Sequence, residues 1–377
     1  MLSGLKYGLD KLFVEKAPAL RTRARTVRRS AGKKLAGILR LDGMGDLIIF
    51  LDALRGYREL FNKDDFEIVL LMEDWLSPLV RDCPFSDRIF LINTGRFKKN
   101  LLYRLEILSL LRDQGFDVFI NACIFRERGY GDIMAFASGA KVRAGFQARL
   151  DQKRELKKES AFYTSLLPDP KWKVHELQRN EALIRELGHK SFKCKMPLID
   201  WIDCGPRRDY FAIHPGASFA ERRWPAERFA ELARAVHERY GLAPAIVGSG
   251  KESWLARVIM QKEPSLPWID HMGAMDISGL ARALGQARFT IANDSGPMHL
   301  SLALGTPTFV LAAGGEFTAY PSYPEPGRDF NLIHCEDSSC FDCKWNCGKG
   351  LKKGQPAPCL AAISTGQATE KIIKTLG

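Results

Sequence analysis

The segment Asn293-Asp-Ser-Gly-Pro-Met-His299 follows an apolar run, Arg288–Ala292, and opens a second one, "LSLALG". Ser295 and Gly296 there expose backbone N–H groups at the start of a helix. Unpaired donors and the helix dipole favour phosphate at such a start. Asp294 and His299 bracket the place. A histidine one turn inside a glycine-opened helix suits an anion site better than a core.

Three other junctions carry residues of the same kind. "LRLDGMGDLIIF" (39–50) puts Asp46 behind two glycines at the mouth of an apolar segment. A carboxylate there either caps the helix or takes a proton from a bound hydroxyl. "HPGASFAERRWP" (214–225) offers Ser218 and Arg222 ahead of a helix, a combination suited to a diphosphate. "GSGKES" (248–253) lacks the first glycine of a phosphate loop, because Ala245 stands there, and Glu252 replaces the hydroxyl after Lys251. It is no P-loop, but Glu252 at a strand end can accept hydrogen bonds from ribose hydroxyls.

Of nine cysteines, Cys335, Cys340, Cys343, Cys347 and Cys359 crowd the C-terminal part. Cys340, Cys343, Cys347 and Cys359 have the donor chemistry for zinc or an iron–sulfur cluster. Their spacing matches no standard finger, so unligated thiols, a metal site and a disulfide formed after isolation all stay open.

Positioning such loops requires strands that end where helices begin. Short apolar strands are expected at 36–41, 66–72, 88–92 and 116–121, with helices at 46–61 and 98–114. A charged, less regular segment covers 147–172, and a helix is expected over 175–187. "PLIDWIDCGPRRD" (197–209) reads as a linker. Strands then recur at 210–216, 244–247, 266–270, 288–292 and 307–311. Between them a helix at 225–240 opens on Pro225, favoured in a first turn. Its stripe is Phe229, Leu232, Ala233, Val236 and Tyr240. Apolar strands alternating with helices imply parallel sheets. The expected fold is α/β, with two Rossmann-like, doubly wound domains facing a cleft. The expected divisions are a basic arm at 1–34, a first Rossmann-like domain at 35–200, a second at 201–360 and a C-terminal helix at 361–377.

The net charge of +12 is concentrated. Residues 1–34 hold ten Lys and Arg against Asp10 and Glu15, two-thirds of the excess. Such an arm suits an anionic membrane, an anionic glycolipid or nucleic acid. No apolar run reaches the roughly 18–20 residues of a membrane span. The N-terminal stretch "LFVEKAPAL" is too short and too charged for an export signal, so a cytoplasmic location is expected.

Taken together, "RLDGMGDLI", "HPGASFAERRWPAERFAEL", "VGSGKE" and "ANDSGPMHLSLALGTPTFVL" resemble the heptosyltransferase-like glycosyltransferases of family 9. "VHELQRNEALIRELG" and "CFDCKWNC…CLAAIS" resemble the same family, so the likeness covers about residues 36–376. It implies the GT-B fold and inverting transfer of a sugar, usually a heptose, from a nucleotide diphosphate sugar. The implied acceptor is a lipopolysaccharide core or related glycolipid, and no metal or other cofactor is required. Asp46 would be the general base. Ser218, Arg222, Ser295, Gly296 and His299 would hold the diphosphate, Arg222 standing where the family usually has Lys. Glu252 and Asp294 would meet the nucleotide and the donor sugar.

Arg126 and Arg128, at the end of the strand 116–121, are candidates for an anionic acceptor. The arm would hold the enzyme on the inner face of a bacterial inner membrane, with no nucleic-acid partner. Two alternatives are a nucleotide-sugar epimerase of the same fold and a metal- or nucleic-acid-binding protein using the cysteines and the arm.

Overall fold

Lys34–Arg40 is buried from its second residue onward, which only a strand covered on both faces allows. This strand, β1, leads into helix α1 (Met44–Leu60). Strands β2 (Phe66–Glu73) and β3 (Arg88–Ile92) follow. Two helices come next, α2 (Thr94–Lys99) and α3 (Leu101–Gln114). The sequence suggests one helix here, but the side chains of Asn93 and Asn100 each cap a separate start. Strand β4 (Val118–Asn121), helix α4 (Tyr130–Ala137), β5 (Val142–Phe146) and β6 (Ser165–Leu167) complete the first sheet.

The computed structural model describes residues 32–124, 130–147, 159–168, 174–327 and 329–377. Arg126, Arg128 and all but the last three residues of the basic arm lie outside the described residues.

Helix α5 (Glu176–Glu186) precedes the second sheet. That sheet and its helices run β7 (Tyr210–His214), α6 (Ala226–Tyr240), β8 (Ala243–Gly248), α7 (Ser253–Lys262), β9 (Ile269–Met272), α8 (Ile277–Gln286), β10 (Thr290–Asn293), α9 (Gly296–Ala303), β11 (Thr308–Leu311) and β12 (Phe330–Ile333). Two helices end the chain, α10 (Pro358–Ala361) and α11 (Thr365–Leu376). Pro225 stands one position before α6, as its N-cap, rather than inside the first turn.

Every pairing among the described strands is parallel. The first sheet has the order β3-β2-β1-β4-β5-β6 and the second β12-β11-β10-β7-β8-β9. Counted within each half, both are the doubly wound order 3-2-1-4-5-6. In that order the chain reverses direction between the first and fourth strands. Ligands of open α/β sheets bind outside the strand ends at that reversal. For the second sheet the reversal lies between β7 and β10, which end at His214 and Asn293.

By contacts the chain falls into two units. Residues up to Asp42, Ala53–Lys171 and Gln178–Cys194 form the first. Gly43–Asp52, Trp172–Leu177 and Lys195–Gly377 form the second. In the second unit Phe211, Phe229, Phe289 and Phe309 are fully or nearly fully buried, and Ala368 and Ile372 of α11 join their core. The last helix is therefore a member of the second unit. The first unit has its own core around Leu39, Leu71, Phe97 and Phe119.

Candidate active site

Asn293 closes β10 and is completely buried. Its Nδ2–H donates to the Pro215 carbonyl at 2.8 Å, and its Oδ1 accepts from the Trp224 N–H at 3.0 Å. One amide side chain thus pins both ends of the loop 215–224. Trp224 is buried as well, and its Nε1–H donates to the Ile363 carbonyl at 3.0 Å. Arg223 clamps the loop internally, donating from Nε and Nη2 to the Ala217 carbonyl at 2.9 and 2.7 Å.

The loop held this way presents Arg222. One of its Nη atoms pairs with Glu316, and the other lies 3.7 Å from Asp294 Oδ2. The guanidinium faces the rings of Trp345, at 5.1 Å, and Tyr320, at 5.9 Å. Its Nε–H is buried with no hydrogen-bond partner. A buried donor without a partner costs free energy and is uncommon in folded proteins. Asp294 is buried beside it. Burial pushes the Asp294 carboxyl above the usual carboxylate range, Arg222 opposes the shift, and Glu316 adds to it.

Ser295 is the N-cap of α9, yet its hydroxyl does not cap the helix. It donates to the Asn293 carbonyl at 3.0 Å and meets His214 Nδ1 at 3.1 Å. The backbone N–H groups of the helix start are left to other partners, as the sequence suggests. His214 is buried, and burial lowers its pKa to about 4 although Glu252 pulls it back. Glu252 sits so close to Gly216 that a Cβ there would fall 2.3 Å from Oε1. The Ser249 hydroxyl donates to the same carboxylate at 2.7 Å. Ser218 is exposed on the loop.

His299 is buried, and its Nδ1 lies 2.7 Å from the Tyr323 hydroxyl. Burial, with His175 and Arg222 adding to it, lowers its pKa to about 3, so the ring is neutral. Burial raises the Tyr323 phenol, which therefore keeps its proton and can donate it to Nδ1. Where the phenol donates, the imidazole proton is on Nε2. His175 backs Tyr323 with ring centroids 4.7 Å apart. His175 accepts the Leu177 N–H on Nδ1 at 3.1 Å and donates from Nε2 to the Tyr320 carbonyl at 2.8 Å.

Gly43–Asp52 belong to the same unit. Asp46 lies in the first turn of α1 and is not its N-cap, because the helix already begins at Met44. The residue is partly exposed. A Cβ on Gly45 would stand 3.0 Å from His299 Cδ2 and 3.6 Å from Gly296 Cα. One on Gly296 would stand 3.0 Å from Met44 Cβ and 3.3 Å from the Gly45 nitrogen. Two helix starts therefore abut through paired glycines. Both dipoles present their positive ends there, and both helices have orphan N–H groups.

Cys340, Cys343, Cys347 and Cys359 line one small cavity with Trp345, Lys349 and Leu351. All are free thiols. Among the described residues no group of three or more His, Cys, Asp or Glu is placed to hold a metal ion. The four thiols nonetheless share that one cavity.

Sequence reasoning names Asp46, Ser218, Arg222, Glu252, Asp294, Ser295, Gly296 and His299, and all lie in the second unit. It misses His175, His214, Asn293, Glu316, Tyr320, Tyr323 and Trp345. His214 and Asn293 were within reach, since each ends a strand at the reversal of the second sheet and belongs to a quoted motif. The others have no local signature.

A family model described as glycosyltransferase family 9 (heptosyltransferase) matches residues 109–313, more than half of the chain. Lipooligosaccharide heptosyltransferase 2 of Haemophilus ducreyi is 22% identical over 302 residues, covering 75% of this chain and 83% of the relative. The crystal structure of a family 9 glycosyl transferase from Veillonella parvula matches with a TM-score of 0.72 and 20% identity, over 92% of this chain and 98% of that one. The E. coli heptosyltransferase WaaC with ADP matches with a TM-score of 0.68 and 16% identity, over 90% and 99% of the two chains. The structural likenesses establish the fold, two parallel-sheet α/β domains of the GT-B kind. The chain is a glycosyltransferase and belongs to family 9.

Proposed function

We propose that this glycosyltransferase moves a heptose from a nucleotide diphosphate heptose, in the first instance ADP-heptose, onto a lipopolysaccharide-core or related glycolipid, with inversion. The observation that carries the reading is the meeting of two helix starts at Gly45 and Gly296, with Asp46 in one first turn and the unpartnered Arg222 Nε–H in the same unit. The Haemophilus ducreyi relative, named as a heptosyltransferase, and the family description support the choice of sugar.

The acceptor hydroxyl oxygen attacks the anomeric carbon as the bond to the diphosphate oxygen breaks. The electron pair of that bond leaves with the diphosphate, whose growing negative charge Arg222, the Gly296 N–H and the His299 Nε2–H stabilise. Asp46 takes the hydroxyl proton as positive charge develops on the attacking oxygen. A neutral His299 suits this role, because its donor hydrogen does not depend on protonation at working pH. Asp294 orients donor-sugar hydroxyls, Glu252 meets the ribose, and Ser218 closes the loop onto the diphosphate. Arg126 and Arg128 are assigned to an anionic acceptor. No metal takes part, and the basic arm holds the enzyme on an anionic membrane.

Turnover of ADP-heptose with a heptose-acceptor glycolipid, followed as ADP release and acceptor mass, tests this reading. Glycosylated acceptor with a matching yield of ADP is expected. Conversion of the donor without acceptor would favour an epimerase, and no thermal shift with ADP at any concentration would overturn the donor assignment.

A further inference from the structure

Among the described residues, the non-glycine residues with a left-handed backbone are Asp342 (φ 61°), Lys344 (φ 54°) and Trp345 (φ 63°). All fall in one four-residue turn. Side-chain residues rarely adopt this conformation, and it persists only where the surroundings over-determine it. Such residues cluster where strain serves a function.

The surroundings of this turn are Gly314 and Gly315, which follow β11. The Asp342 N–H donates to the Gly314 carbonyl at 2.7 Å, and the Lys344 N–H to the Gly315 carbonyl at 2.9 Å. The N–H and hydroxyl of Thr318 donate to the Asp342 carboxylate at 2.9 and 2.6 Å. The Phe341 and Trp345 rings fill the spaces where Cβ atoms of Gly314 and Gly315 would be, each 2.4 Å away. Only glycines permit this approach.

The turn bears on two neighbours of Arg222 at once, Trp345 and Glu316. Trp345 lays its ring 5.1 Å from the guanidinium carbon. Glu316, next after the anchored Gly315, pairs with the same guanidinium. The turn lies beyond the span matched by the family model.

We propose that Trp345 is a positioning residue for the donor diphosphate, resting on the reading of Arg222 given above. Its ring holds the guanidinium in the pose that leaves Nε–H open. It also retains the cation by a cation–π contact when the diphosphate competes with Glu316 for the other N–H groups. A lysine has no planar fork to lay on the ring, so Trp345 and Arg222 form a matched pair.

The test is a double-mutant cycle on the full chain, with kinetics varied separately in donor and acceptor. Trp345→Ala should lower kcat/KM for the donor about 10-fold, on the order of one cation–π contact, with acceptor KM unchanged. Trp345→Phe should restore most of the loss, because it keeps a ring. In an Arg222→Ala background, Trp345→Ala should cost little more. Gly315→Ala, which expels the ring while leaving it in the chain, should reproduce Trp345→Ala, and both should melt as cooperatively as the parent. Equal losses with and without Arg222, or no loss at all, would overturn the proposal. Parental kinetics in Arg222→Ala would instead overturn the underlying assignment of Arg222, and the proposal with it.

Discussion

Gly45 lies so close to His299 that a Cβ at position 45 would stand 3.0 Å from Cδ2. The ring is held from the other side by Tyr323, 2.7 Å from Nδ1. It has no easy way to retreat. Gly45→Ala therefore separates two effects. Alanine favours a helix over glycine by about 1 kcal/mol, which should offset much of the crowding in stability. The displaced imidazole no longer meets the diphosphate correctly, and turnover should fall by up to about 100-fold. Differential scanning calorimetry beside donor kinetics reads both. Unchanged turnover would mean that His299 does not act at the donor.

Asp46→Asn should fold and bind ADP like the parent while turnover falls about 10²–10⁴-fold. The variant keeps the shape and a hydrogen-bonding oxygen but cannot accept the acceptor's proton. Asp46 lies inside the first turn of α1, and asparagine keeps an oxygen there that can accept the same bonds. A single-turnover rate equal to the parent's would remove Asp46 as base.

Chelation should leave the reaction intact. Every step proposed above is carried by side chains and backbone N–H groups of the protein. Turnover after treatment with a strong chelator under reducing conditions should equal that before it. A loss restored by one added metal would contradict the reaction scheme above.

Legibility in the sequence followed burial. Strands β1, β2, β4 and β10 are short apolar runs buried along most of their length, and all are recognised. The strands missed are β5, β6 and β12. Arg143 and Gly145 interrupt β5, β6 has three residues, and β12 alternates buried with half-buried positions on a sheet edge. Helix α4, "YGDIMAFA", is buried on nearly every side and so lacks a polar stripe to mark its period. The site divides in the same way. Asp46, Arg222 and His299 belong to strand-to-helix junctions, where glycine, proline and charge stand out. Glu316, Tyr323 and Trp345 reach the site from later loops that only the closed second sheet brings near Arg222 and His299. No spacing rule links them.

Two neutral histidines at the site make the fold sensitive to acid. Burial holds His299 at about 3 and His214 at about 4, whereas a histidine in the unfolded chain titrates near 6.5. Between about pH 6.5 and pH 4 the unfolded chain therefore binds protons that the native state refuses, and stability falls as the pH is lowered. Asp294 has the opposite sign. Its raised carboxyl holds a proton in the native state after the unfolded chain has released it, so its contribution is lost as the pH rises. The histidine effect is expected to dominate from neutrality down to pH 5, since two groups contribute and both shifts are large. The unfolding midpoint of the parent should fall across that range, and His299→Asn should fall less steeply whatever its own stability at neutral pH. Comparing the two slopes in scans at several pH values removes the fixed cost of the substitution. Parallel slopes would show that His299 takes up its proton in the native state as readily as in the unfolded chain, which would overturn its burial-lowered pKa.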